Sequence, residues 1–118
     1  MVSAAQTAAV ISLTARVRPS HEAGSHLIRS VSARLREHNH VLLASGQVIA
    51  LIPELGSALI SEKRGELVVN IAMDSEDAAA RASAALTREV THAVGSRVSS
   101  RHVTITWTRN DFVPVALR

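Results

Sequence analysis

The residues of this chain that could do chemistry are its histidines, and three of them stand where secondary structure could gather them. His38 extends the apolar stripe of a first predicted helix, His40 starts the strand that follows, and His92 lies near the end of a second helix. If the two helices run side by side, the three imidazoles converge at one end of the molecule. Neutral imidazoles bind iron, zinc or haem, and three of them suffice for a site. The spacing therefore offers His38, His40 and His92 as candidate metal ligands.

A structural role is the competing interpretation of these histidines, and it is the favoured one. Imidazoles near helix C-termini suit the negative end of the helix dipole and can donate to the last free carbonyls. The remaining histidines offer less. His21 and His26 are five residues apart, a spacing that does not place them on one helix face, and we expect both to be solvated. His102 begins a predicted strand on its polar face.

The sequence does not contain the residues or motifs that most other kinds of active site require. The chain has no cysteine, which excludes disulfides, thiolate metal sites, iron–sulfur clusters and a cysteine nucleophile. It contains no Gly-x-Ser-x-Gly elbow, no phosphate loop and no Gly-x-Gly-x-x-Gly motif. Asp74, Glu76 and Asp77 form an acidic cluster, but the start of a helix explains all three without catalysis. We therefore expect a binding protein rather than an enzyme.

The charge of the chain is modest and scattered. Thirteen basic and ten acidic residues give a net charge of +3, and no basic run occurs. With one Trp, one Phe and no Tyr, the chain also lacks the aromatic rings on which single-stranded nucleic acids stack. This composition disfavours nucleic-acid binding. No signal peptide and no membrane-spanning segment is recognisable, which predicts a cytoplasmic protein without membrane contact.

Hydrophobic periodicity predicts the elements that must position these residues. Residues 10–17 alternate as a half-buried strand, and residues 21–38 repeat apolar positions every four residues as a helix. A second helix runs from about Asp74, where Asp74 or Ser75 can cap it, to Val94, where Gly95 stops it, and residues 102–108 form a last strand. Between the helices, Gly- and Pro-containing turns separate short apolar runs that we predict to be strands of a meander, at 41–44, 47–52, 57–62 and 66–72.

The order β-α-β-β-β(-β)-α-β predicts an α+β fold, a two-layer sandwich with both helices on one face of an antiparallel sheet. The other face would carry polar side chains, namely Thr14, Arg16, Thr104, Thr106 and Thr108. Such a face can remain exposed to solvent, or it can be buried against a second copy of the chain. A homodimer is therefore compatible with this fold. We divide the chain into a flexible N-terminus (1–9), a single domain (10–109) and a C-terminal tail (110–118), which Phe112 is expected to hold against the surface.

Several landmarks carry a family resemblance: Ala15-Arg16-Val17, Leu35-x-x-His38 followed by His40, Ala72-x-Asp74, His92 and Trp107. Over residues 11–108 the chain resembles an uncharacterised family of short bacterial proteins called, in words, "domain of unknown function twenty-two eighteen". That family has no established biochemical activity. Its members are often fused to, or encoded beside, siderophore-interacting flavin reductases.

The resemblance implies a small cytosolic accessory or binding protein linked to iron or siderophore metabolism, with such a reductase as its partner. Two alternatives stay open. One is a redox helper that binds a metal or haem through the three histidines. The other is a structural homo-oligomer without a small-molecule site.

Overall fold

A computed structural model describes residues 10–20 and 25–118 of the chain. The predicted flexible N-terminus, residues 1–9, and the predicted start of the first helix, with His21, lie outside the described residues. In chain order, the elements are β1 (Ile11–Pro19), α1 (Ser25–Leu35), β2 (His40–Leu42), β3 (Val48–Ile52), β4 (Gly56–Lys63), β5 (Glu66–Met73), α2 (Glu76–Val94), α3 (Ser96–His102) and β6 (Val103–Asn110). A short 3-10 helix, Val115–Leu117, lies in the tail.

The six strands form one antiparallel sheet in the order β2-β3-β4-β5-β1-β6. Strands β2 to β5 are the predicted meander, in which each strand pairs with the next along the chain. Strand β1 lies between β5 and β6, so that Ala15 is opposite Val69 on one side and Trp107 on the other. The last strand of the chain therefore pairs with the first. The predicted α+β sandwich with an antiparallel sheet is confirmed.

The apolar core lies between the two long helices and one face of this sheet. Ile28, Val31 and Leu35 of α1 are fully buried, and so are Leu86 and Val90 of α2. The same cluster contains the inward-facing residues of the strands, namely Ala15, Val17, Val48, Ala50, Ala58, Ile60, Leu67, Val69 and Ile71. Burying each large aliphatic side chain contributes roughly 1.5–3 kcal/mol. Because one cluster joins both helices to the sheet, α1 and α2 pack on the same face.

The ends of α2 follow the predicted signals. The Ser75 hydroxyl accepts a hydrogen bond from the backbone N–H of Ala78 at 3.0 Å, which satisfies a free donor of the first turn. At the other end Gly95 has φ +89° and donates its N–H to the carbonyl of Thr91. A glycine takes this left-handed φ without the strain of a side chain.

One helix and one strand that the sequence predicts have different ends in the structure. Helix α1 ends at Leu35, because Glu37 and His38 donate to carbonyls only three residues back, so the last turn tightens and stops. His38 therefore follows the helix instead of extending its stripe. The predicted strand at 102–108 begins at Val103, since the preceding seven residues form α3 and His102 is the last of them. Helix α3 is too short and polar to show a stripe, and it is held by packing against α2 and β6.

The tail returns across the sheet face opposite to the helices. Its 3-10 helix packs on β4, where the outward-facing Leu59 is only 4% exposed. Phe112 is 69% exposed, so the prediction that it holds the tail is wrong. The chain bends at Asp111 and Phe112 directly after β6, which leaves the ring in solvent.

No helix within residues 10–20 and 25–118 is long and apolar enough to cross a membrane.

Candidate functional site

Of the three predicted metal ligands, His38 and His40 make hydrogen bonds, and His92 lies in the last turn of α2. His38 donates from Nε2 to Glu89 Oε1 at 2.8 Å, and His40 donates from Nδ1 to the carbonyl oxygen of His38 at 3.0 Å. Glu89 precedes His92 by three residues, so it stands one helical turn before it on the surface of α2. The side chain of His92 itself is exposed.

The His38 imidazole belongs to a cluster of polar and charged side chains around Glu89. Glu89 also has Arg34 Nε at 3.4 Å from its Oε1, and Arg34 reaches Glu37 at 3.3 Å. His38 and Glu89 are 23% and 14% exposed, so their hydrogen bond is largely shielded from water. Sequence reasoning missed this cluster, because Glu89 is fifty-one residues from His38 and carries no local signal.

Metal binding by the histidines stays a prediction. Within the part of the chain that the structure describes, no three His, Asp or Glu side chains come close enough to hold a metal ion. A metal at His38 Nε2 or His40 Nδ1 would first have to displace the hydrogen bonds that these atoms make. Metal analysis of protein purified without added metal tests the hypothesis. Uptake of iron, zinc or haem that disappears in His38→Ala and His92→Ala would support it.

The second candidate surface is the face of the sheet that α1 and α2 leave open. Strand pairing places the predicted polar residues together, with Thr14 opposite Thr108, Arg16 opposite Thr106 and Arg18 opposite Thr104. On the other side of β1, Thr14 is opposite Asn70 of β5. We call these three strands, β5, β1 and β6, the polar half of the open face.

A hydrogen-bond network fixes the side chains near the tail end of this polar half. Thr14 donates from its hydroxyl to Asn70 Oδ1 at 2.5 Å. Asn110 donates from Nδ2 to Thr14 Oγ1 at 2.7 Å and to the buried Ser12 Oγ at 3.3 Å. The network borders a cleft of about 410 Å³ that Phe112 and Pro114 of the tail also line.

The opposite end of the polar half holds a cluster of charges. Glu66, the first residue of β5, accepts from Arg16 at 2.8 Å and from Arg18 at 2.6 Å. These two arginines and Glu66 line a cleft of about 430 Å³ together with Lys63 and Arg64 of the β4–β5 turn. The hydrogen bond from Arg18, with that from Arg16, holds the pKa of Glu66 below its usual value, while partial desolvation opposes the shift.

A third cleft, of about 580 Å³, is mostly apolar and lies where the tail meets the ends of the first and fifth strands. It is larger than the other two, and two charged residues, Asp74 and Arg118, stand among an apolar lining of Val10, Ala72, Met73, Val113 and Leu117, whereas all five residues that line the Glu66 cleft are charged. The charged cleft therefore carries the clearer chemical signal.

Comparison with protein-family models, with curated proteins and with solved structures found no match for this chain. The family resemblance, and the iron link that it implies, therefore stay predictions.

Proposed function

We propose that this chain is a small cytoplasmic accessory or binding protein, not an enzyme, and that it recognises its ligand with the polar half of its open sheet face. The observation that supports the proposal is the fixed arrangement of hydroxyl, amide and guanidinium groups on β5, β1 and β6. Groups that are already held in place lose little conformational freedom when a ligand binds, which favours affinity. Both long helices pack on the other face, so they do not obstruct this one.

The resemblance extends the proposal to iron or siderophore metabolism. Under it, the ligand of the open face is a ferric siderophore, or the face contacts the siderophore-interacting flavin reductase itself. The two cases share the same surface, because each needs polar groups that are oriented and accessible. Both can be tested with one labelled sample.

The test is an NMR titration of the ¹⁵N-labelled chain with a siderophore loaded with Ga³⁺, the diamagnetic substitute for Fe³⁺, and separately with the reductase. We expect the amide signals of β1, β5 and β6 to shift and those on the exposed surface of α2 to stay. Thr106→Asp, which places a charge in the middle of the polar half, should weaken binding.

The matched control is Thr87→Asp, which makes the same change on an exposed position of α2. Equal binding by Thr106→Asp and Thr87→Asp would show that the open face is not the binding surface. The absence of any shift with both the siderophore and the reductase would remove the iron link.

Self-association is a second candidate function, and the other end of the open face favours it. Val41 on the edge strand β2 and Leu51 on β3 are 63% and 56% exposed, and strand pairing puts both on the open face. An edge strand also presents unpaired backbone groups that a second copy can extend. Light scattering should then report a dimer that Val41→Lys returns to a monomer. The control Thr87→Lys, at an exposed position of α2 on the other side of the sheet, should leave the dimer mass unchanged.

A further inference from the structure

The cleft between β1 and the β4–β5 turn carries a local excess of three positive charges. Four cationic side chains, Arg16, Arg18, Lys63 and Arg64, line it with one carboxylate, Glu66. The chain has thirteen basic and ten acidic residues, so nine of each sign remain elsewhere and balance. The net charge of +3 therefore equals the excess of this single cleft. Such a local excess attracts anions and raises their concentration at the surface.

Glu66 positions two of the three guanidinium groups of this cleft, those of Arg16 and Arg18. Its two oxygens accept one N–H from each arginine, Nη1 of Arg16 and Nε of Arg18. A guanidinium has five N–H donors in a planar fork, so the bonds to Glu66 leave most of the donors for a ligand. The fork geometry matches the paired oxygens of carboxylates and phosphates.

The β4–β5 turn brings the other two cations to the same place. Lys63 is opposite Glu66 in the sheet, and the two residues between them, Arg64 and Gly65, have φ values of +52° and +77°. Positive φ at both central positions makes this a type I′ hairpin turn, where glycine and asparagine are usual. An arginine side chain at Arg64 is disfavoured by the backbone, and it adds a fourth positive charge to the cleft.

We propose that this cleft binds a small, multiply charged anion through carboxylate or phosphate groups. Its volume of about 430 Å³ lies in the range of small-molecule sites, and its guanidinium forks supply the recognition. This proposal specifies the chemical class of ligand that the open face binds. It depends on the proposed binding role of that face, but it does not depend on the link to iron. A polycarboxylate and a phosphate present the same chemistry to the arginines, so the experiment includes both.

Isothermal titration calorimetry at low ionic strength tests the assignment with citrate, ferric citrate and inorganic pyrophosphate as separate probes. We expect one site for at least one probe, and affinity that falls as NaCl is raised, because salt screens exposed charges. Arg18→Ala and Arg64→Gly should each weaken binding about tenfold or more, since each removes a charged contact. Because glycine adopts the positive φ of position 64, Arg64→Gly preserves the turn. The weaker binding of this variant would therefore be due to loss of the arginine side chain.

Arg81→Ala is the matched control, because it removes the same charge from an exposed position on α2. Affinity within about twofold of the unmodified chain is expected there. The proposal is overturned if none of the three anions binds, or if Arg81→Ala weakens binding as much as Arg18→Ala. If titration with the siderophore or the reductase still shifts the amide signals of the open face, the proposed function is retained even though the anion site is not. Anion binding without either of those shifts would support the cleft and remove only the iron link.

Discussion

His38 donates from Nε2 to the carboxylate of Glu89 across 2.8 Å, and this hydrogen bond joins the segment after α1 to the surface of α2. Arg34 of α1 lies against the same carboxylate oxygen at 3.4 Å. The histidine that the sequence offers as a metal ligand therefore acts in the structure as a link between two helices. Its partner is an acidic residue for which no role was predicted.

Replacing either partner of this link should destabilise the protein. His38→Ala and Glu89→Ala should each lower the free energy of unfolding by about 1–2 kcal/mol, because each removes a shielded hydrogen bond to a charged group. Urea unfolding of the two single variants and the double variant measures the coupling between them. Glu37→Ala, at a side chain that is 66% exposed, should cost less than about 0.5 kcal/mol. Strictly additive effects of His38→Ala and Glu89→Ala would contradict the link.

The Glu66 carboxyl should titrate below the ordinary glutamate value of 4.5, because the bonds from Arg18 and Arg16 favour its charged form. A carboxyl with a lowered pKa in the folded state stabilises that state above its unfolded pKa, and this contribution is lost as the pH falls through the lowered value. The side-chain ¹³C signal of Glu66 reports the midpoint directly. In Arg18→Ala the midpoint should move upward, towards the ordinary value. An unchanged midpoint in that variant would show that Arg18 does not hold the carboxyl.

Leu86 of α2 is fully buried in the core between the helices and the sheet. Leu86→Ala should lower the free energy of unfolding by about 2–5 kcal/mol, since it loses apolar burial and leaves a cavity. Chemical denaturation followed by circular dichroism measures the loss. The matched control is Leu51→Ala, the same substitution at a side chain that is 56% exposed, which should cost far less. Comparable losses at both positions would argue against the packing described for α2.

Ser75 caps α2 through its hydroxyl, which accepts from the N–H of Ala78. Ser75→Ala should cost about 1 kcal/mol of stability, because a donor of the first turn loses its partner. Ser75→Asp keeps an acceptor at the cap and should restore most of the loss. Thermal unfolding of the three proteins distinguishes the cap from a general effect of substitution at this site. Equal stability of Ser75→Ala and Ser75→Asp would count against the cap.

Local patterns predicted much of the fold. The alternation of Ala15 and Val17 with Thr14 and Arg16 indicated which side of β1 faces the core, and the burial of Ala15 and Val17 agrees. A cap at Asp74 or Ser75 and the stop at Gly95 were recognisable because each depends on one residue and its neighbours in the chain, and in the structure the cap is Ser75. Helix α3 was missed for the opposite reason, since its seven residues have no apolar stripe and are held by contacts with distant elements.

The sequence alone determined the class of fold and the polar character of the outward-facing residues on β1 and β6, because side-chain periodicity and turn residues act over a few positions. Only the tertiary structure decided which charges meet. Glu66 joins Arg16 and Arg18 across about fifty residues of chain, and Glu89 joins His38 across fifty-one. Those pairings depend on strand register and on how the helices lie against each other. Both follow from the packing of the whole core, and no short segment encodes them.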